Sequence, residues 1–143
     1  LGKADCQKGL AAAGVNVPAL IRAFNNFKPR PDSAPSSVGY NIFYAETSTE
    51  PGARQFMQTE RGKGAGAFVY GQDIMVRDKF FGAHGGAKIS VGASRALALI
   101  HEAIHLTGRT DASFGGSSKL NDVVIQACFS RLYAHNDMSI VVP

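Results

Sequence analysis

The spacing of apolar residues near the start of the chain predicts two helices. Residues 5–13 can form the first, and Asn16 with Pro18 is typical of the start of the second. A helical period then places a set of apolar side chains on one face, where we expect them to be buried. These residues are Val17, Leu20, Ile21, Phe24 and Phe27. The stretch 28–37, rich in Pro and Ser, predicts a connecting loop.

Short apolar runs bounded by turn residues occupy the middle of the chain and predict strands. Residues 40–44 form the first such run. Residues 67–70 and 73–77 flank a two-residue turn and predict a hairpin. Residues 88–91 predict a last short strand.

Two further helices are predicted after these strands. Residues 93–105 are mostly strong helix formers, and Gly108 is a natural helix terminator. Ser117 or Ser118 can cap a final helix that runs through Tyr133. Its expected inward residues are Leu120, Val123, Val124, Ala127, Cys128 and Leu132. Helices around a small sheet predict an α+β fold, with residues 1–143 as a single domain.

The first of these two helices carries the sequence HEAIH at residues 101–105. Residues four apart share a helix face, so His101 and His105 can direct two imidazole nitrogens at one metal ion, with Glu102 beside them. The alternative is that both histidines are core residues satisfied by ordinary hydrogen bonds. Because three polar residues on an apolar helix are costly without a partner, the pattern favours the metal site.

A catalytic zinc site needs a third protein ligand, and no glutamate follows Glu102 in the chain. The downstream candidates are Asp111, Asp122, His135 and Asp137. Residues 101–111 have the form HExxHxxGxxD. This run resembles the extended motif of the metzincins, in which a glycine turns the chain and a ligand follows three residues later. With aspartate at the last position, it is similar to the snapalysin-type proteases. The resemblance implies Asp111 as the third ligand, and His135 is the next candidate among the downstream residues.

The resemblance to these HExxH zinc metallopeptidases, the zincins, also implies a fold and an activity. It implies a compact zincin-like domain, in which a small mixed or antiparallel sheet packs on the active-site helix between N-terminal and C-terminal helices. It implies Zn2+ held by His101, His105 and Asp111. Glu102 would be the catalytic general base that accepts a proton from the metal-bound water. Metzincins also place a methionine turn beneath the metal, for which Met138 is the candidate.

Two further expectations concern the substrate. In zincins an edge strand near the metal holds an extended peptide through backbone hydrogen bonds. Residues 73–80 and 88–91 are the candidates for that edge, and the alternative is a surface edge that binds nothing. A second group can help to stabilise the oxyanion that develops during hydrolysis. The candidates for this group are Tyr133, His84 and His135.

We therefore expect an endopeptidase that hydrolyses peptide bonds with zinc, and a peptide or protein substrate as its partner. One alternative is an effector-like or toxin-like zinc protease that is specific for one target. The other is a non-catalytic binding domain that is stabilised by its metal. The sequence does not indicate the oligomeric state.

Composition and charge narrow the classes of partner. The chain has 143 residues and a net charge of +4. Its basic residues are scattered rather than clustered among aromatics, so nucleic acid is not an expected partner. No apolar run reaches the roughly 18 residues that a membrane-spanning helix needs, so a membrane is not expected either.

The two cysteines, Cys6 and Cys128, lie near opposite ends of the chain. This arrangement predicts a disulfide, which would close a loop of roughly 120 residues and contribute about 4 to 5 kcal/mol in the chain-entropy model. A disulfide in turn predicts an oxidising location, either secreted or periplasmic. The alternatives are two buried thiols in a cytosolic protein and a cysteine that binds zinc.

Overall fold

The computed structural model describes residues 2–29, 41–81 and 91–129. In these ranges the chain forms seven helices and one four-stranded sheet, which confirms the α+β class. The helices are α1 (Ala4–Ala12), α2 (Val17–Asn26), α3 (Pro51–Gln58), α4 (Glu60–Gly64), α5 (Asp78–Phe81), α6 (Val91–Leu106) and α7 (Ser117–Cys128). The strands are β1 (Lys28–Pro29), β2 (Asn41–Tyr44), β3 (Ala67–Tyr70) and β4 (Asp73–Val76). Short 3-10 turns cover Ala45–Thr47 and Asp111–Phe114.

The sheet is mixed, with the strand order β1-β2-β4-β3. Strands β1, β2 and β4 are parallel to one another, whereas β3 runs antiparallel to β4. Strands β3 and β4 form the predicted hairpin, in which Phe68 pairs with Met75 and Tyr70 pairs with Asp73. Gly71 in the turn has a φ of +63°, a conformation that favours glycine.

The two faces of the sheet pack against different helices. Because successive strand residues point to opposite faces, Ile74 and Val76 join the main core with Leu97 and Ile104 of α6. Met75 points the other way. There it packs in a smaller cluster with Phe43, Phe68 and Ala53, the last of which lies on α3. The sheet therefore separates α6 from the α3 side of the molecule.

Helices α1 and α7 pack together and carry the predicted disulfide. Cys6 and Cys128 are bonded to each other, so neither is a free thiol or a zinc ligand. The two helices approach closely at Gly9, where an added Cβ would lie 2.7 Å from the Cβ of Ala127. Helix α7 also packs against α6, so the α1–α7 pair lies against the helix that carries His101 and His105. A disulfide is compatible with an oxidising compartment.

Helix α2 follows the prediction closely. The side chain of Asn16 caps it by accepting a hydrogen bond from the backbone N–H of Ala19 at 3.1 Å. Val17 and Leu20 are buried in the core. The remaining residues of the predicted stripe pack partly buried against that core: Ile21, Phe24 and Phe27.

The prediction missed one helical region and was wrong at two element ends. The stretch 51–64 was not predicted to be helical, yet it forms α3 and α4, with Pro51 at the start of α3. Val91 begins helix α6 rather than ending a strand, and residues 88–90 lie outside the described ranges. Neither serine caps α7, because its N-cap is Gly116, whose φ of +121° disfavours a side chain.

Other predictions fall partly or wholly outside the described residues. Lys28 and Pro29 pair with β2 instead of starting a loop, and residues 30–37 lie outside the described part. The end predicted for the last helix, Tyr133, also lies outside it. Among the described helices, none combines the length and the apolar character that crossing a membrane requires.

Candidate metal centre

Helix α6 places the two predicted histidine ligands on one face. The ring centroids of His101 and His105 are 4.8 Å apart, one turn of the helix from each other. The helix ends at Leu106, and the N–H of Gly108 bonds to the carbonyl of His105 at 3.0 Å. Gly108 has a φ of +91°, so it turns the chain as predicted for a helix terminator.

This turn brings Asp111 back to the histidines. Its Oδ1 atom lies 3.2 Å from Nε2 of His101 and 3.4 Å from Nε2 of His105. The same Oδ1 atom is buried and accepts no hydrogen bond from the described residues. The carboxylate does not cap the following 3-10 turn, which has no side-chain cap. Asp111 is therefore free to act as a ligand.

The hydrogen bonds made by the two Nδ1 atoms determine which nitrogen of each imidazole ring carries the proton. Nδ1 of His101 donates to the side-chain oxygen of Asn121 at 2.7 Å, and Nδ1 of His105 donates to the backbone carbonyl of Arg109 at 2.9 Å. A carbonyl oxygen can only accept, so each Nδ1 carries the proton and each neutral ring keeps its lone pair on Nε2. Burial lowers the pKa of His101, which favours this neutral form.

Three acceptor atoms thus face one another without a donor between them. In a tetrahedral site with bonds of about 2.0–2.1 Å, ligand atoms stand about 3.3 Å apart, close to the two distances from Asp111 Oδ1. All three donor atoms lie within 4.8 Å of one another. Two imidazoles and a carboxylate form a donor set that suits zinc and would also accept cobalt, nickel or manganese. The residues present therefore fit a divalent metal ion.

Glu102 lies beside these three residues in a buried position. Burial, reinforced by the charge of Asp111, raises the pKa of Glu102 to about 8. A hydrogen bond from the backbone of Val69 and the charge of Arg61 act in the opposite direction. A divalent cation nearby would also favour the ionised carboxylate.

The four predicted site residues line one pocket of about 580 Å³. Part of its wall is apolar and comes from helix α3, from the residue that follows α4 and from strand β3: Phe56, Ala65, Ala67, Phe68 and Val69. Arg61 on α4 lines another part. The pocket is thus large enough for a bulky side chain beside the candidate metal ligands.

The strand that borders this pocket is β3, so the prediction of an edge at residues 73–80 is wrong. Strand β4 is paired on both sides, to β2 and to β3, and has no free edge. The N–H of Arg77 bonds to the carbonyl of Gly66 at 2.9 Å. Hydrogen-bonded pairs alternate in an antiparallel ladder, so the backbone groups of Ala67 and Val69 point away from β4. They face the open side of β3, the side that pairs with none of the described strands, next to Glu102.

Several predicted residues do not join this group. Asp122 lies on α7 and is not among the clustered donor atoms of the described residues. The other candidates lie outside the described residues: His84, Tyr133, His135, Asp137 and Met138.

Two residues of the site, Asn121 and Arg61, were not predicted from the sequence. Asn121 is buried on α7 and shares a helix face with Val124 and Ile125, so a polar residue within that apolar stripe was a usable signal. Arg61 bonds to Asp111 from α4, 50 positions away, and no local pattern indicates this contact.

Comparisons with protein-family models, curated proteins and solved structures find no match to this chain. The interpretation of the site therefore depends on its own geometry.

Proposed function

We propose that this protein is a zinc-dependent endopeptidase with a zincin-like active site. The proposal depends on one observation: the Nε2 lone pairs of His101 and His105 face the buried Oδ1 of Asp111, which has no hydrogen-bond partner among the described residues, next to Glu102. His101, His105 and Asp111 would hold the metal ion. Three protein ligands leave one coordination position for water or substrate, as in catalytic rather than structural zinc sites.

A zinc ion bound there would polarise the peptide carbonyl and make the attacking water more acidic. Glu102 performs the proton transfer. Its carboxylate takes a proton from that water and returns it to the amine that leaves. The hydrogen bond from Val69 holds the carboxyl group in place, and the partners of the two Nδ1 atoms hold the imidazole rings.

The open side of β3 supports a peptide as the substrate. The N–H of Val69 is taken up by Glu102, but the amide and carbonyl of Ala67 and the carbonyl of Val69 can pair with an extended chain. Such backbone pairing binds peptides largely independently of their sequence. The apolar wall of the pocket, near Phe56 and Phe68, suits an apolar side chain next to the scissile bond. The disulfide between Cys6 and Cys128 supports a secreted or periplasmic location for this activity.

The test compares the wild type with Glu102→Gln, using a library of quenched fluorescent peptides and elemental analysis of the same samples. We expect about one zinc per chain in both proteins, and a loss of turnover of about 10²- to 10⁴-fold in the variant. Glu60→Gln is the matched control, because Glu60 lies on an exposed face of α4. Its activity should equal that of the wild type.

Each other outcome points to a different function. Full activity in Glu102→Gln would exclude Glu102 as the general base. Bound zinc without cleavage of any peptide would favour the metal-stabilised binding domain. Cleavage of one native protein, with no activity on the library, would favour the target-specific protease.

A further inference from the structure

The carboxylate of Asp111 divides its two oxygens between different partners. Oδ1 faces the histidines, whereas Oδ2 accepts a hydrogen bond from Nη2 of Arg61 at 2.5 Å. Among the described residues, Arg61 is the one donor that bonds to this carboxylate. The χ2 torsion of aspartate is broad, so without this bond the carboxylate has no contact that selects which oxygen faces the histidines.

The helix that carries Arg61 is short but anchored at its C-terminal end. Nη1 of Arg77 donates to the carbonyl of Gly62 at 2.5 Å, and Nζ of Lys79 donates to the carbonyl of Lys63 at 2.8 Å. Cationic donors satisfy the free carbonyls at a helix C-terminus. Arg77 is itself held by two bonds to Glu46, at 2.9 and 3.2 Å.

The other side of α4 is fixed by close packing on α3. An added Cβ at Gly62 would lie 1.9 Å from the carbonyl oxygen of Phe56, so only glycine fits there. The hydroxyl of Thr59 also caps the helix by accepting the N–H of Gly62 at 3.0 Å. These contacts fix the backbone of Arg61 relative to helix α3 and to the segment that carries Arg77 and Lys79.

The ion pair between Arg61 and Asp111 contributes little to stability. The side chain of Arg61 is 74% exposed and that of Asp111 is 16% exposed. Pairs with one exposed partner are typically worth about 0–1 kcal/mol. A contribution to stability therefore does not explain why helix α4 is anchored in a position from which Arg61 reaches Asp111.

We propose that Arg61 is a positioning residue, which holds Oδ2 of Asp111 and thereby directs Oδ1 at the metal ion. This inference rests on the proposed metal site but not on the hydrolysis of peptides. It predicts that the metal ion binds more weakly, and with altered coordination, when the arginine is removed.

The test measures metal binding in Arg61→Ala, Arg61→Lys and Lys63→Ala. Lys63 lies on the same helix and pairs only with the exposed Glu60 by its side chain, so Lys63→Ala removes the same charge without touching Asp111. Zinc affinity is measured by competition with a chromophoric chelator. We expect it to fall about 10- to 100-fold in Arg61→Ala, which is typical of lost outer-shell partners. Arg61→Lys should recover part of the loss, and Lys63→Ala should equal the wild type.

A second readout separates positioning from a general structural effect. The visible absorption spectrum of the Co2+-loaded protein reports the coordination of the metal ion. It should change in Arg61→Ala and stay unchanged in Lys63→Ala. The metal-free proteins should unfold at the same temperature, because the ion pair adds little stability.

The outcomes distinguish the two proposals, except that a wild type without bound metal would overturn both. Unchanged zinc affinity and an unchanged Co2+ spectrum in Arg61→Ala would overturn the positioning role, whether or not peptides are cleaved. An equal loss in Lys63→Ala would also overturn it, as would a wild type that binds no metal. Conversely, an affinity that depends on Arg61, without any peptide hydrolysis, would support the positioning role and contradict the peptidase.

Discussion

The proposed ligands and the groups that orient them come from different regions of the molecule. The ligands all lie in residues 101–111, on one helix and the turn after it. Of their supporting groups, only the Arg109 carbonyl is local. The others lie on α7 and α4: Asn121 and Arg61. The donor set is thus a property of a short segment, whereas its orientation depends on how three helices pack together.

The largest effect should follow a change within the segment itself. His105→Ala removes one of three ligands, so we expect zinc affinity to fall by more than about 100-fold, beyond the loss of any outer-shell partner. In the wild type, zinc at 100 times its Kd should stabilise the folded state by about 2.7 kcal/mol. Addition of a chelator should therefore lower the unfolding temperature of the wild type.

The same chelator should leave the unfolding temperature of His105→Ala unchanged. Differential scanning fluorimetry measures both effects, and an equal shift in the two proteins would place the metal elsewhere.

A smaller effect should follow the loss of a remote support. Asn121→Leu leaves the buried Nδ1–H of His101 without an acceptor, so we expect zinc affinity to fall about 10- to 100-fold. Asn121→Asp keeps an acceptor and should bind zinc at least as tightly as the wild type. Gln126→Leu is the control, since it changes an exposed amide on the same helix. Isothermal titration calorimetry gives the affinities, and unchanged binding in Asn121→Leu would show that His101 is oriented without α7.

The smallest effect on zinc affinity should follow removal of the disulfide, whose Cys128 lies farther along α7 than Asn121. Replacing both Cys6 and Cys128 by serine should lower the free energy of unfolding by about 2–5 kcal/mol. At temperatures where the variant is folded, we expect zinc affinity to fall less than in Asn121→Leu, because Asn121 remains packed on α6. Urea unfolding and calorimetry on the same sample measure both quantities. A larger loss of affinity than in Asn121→Leu would show that the site depends on the whole α1–α7 pair.

The difference between the local ligands and their remote supporting groups also explains which features could be predicted from the sequence. The positions of His101, Glu102 and His105 follow from helical periodicity, and Gly108 indicates the turn that brings Asp111 back. These are relations between near neighbours. The hairpin of β3 and β4 was predicted for the same reason.

The failures concern contacts between distant parts of the chain. Strand order is a tertiary property, so the sequence could not show that β3 rather than β4 lies at an edge of the sheet formed by the described strands. Helix α4 has five residues and no apolar side chain, so apolar spacing gives no signal there. Helix α3 does have an apolar face, formed by Ala53, Phe56 and Met57, and with Pro51 at its start it could have been predicted. Arg61 was missed because its partner is remote, while Asn121 was detectable as a polar residue in an apolar stripe.

The disulfide between Cys6 and Cys128 also determines how a cut in the backbone would be detected. It closes a covalent ring that contains α4, α6 and most of α7, with the whole candidate metal centre. A single cut of the backbone anywhere inside that ring releases no fragment and adds only the mass of one water molecule. Nicking of the backbone by a protease would therefore be invisible on a non-reducing gel and would become apparent only after reduction.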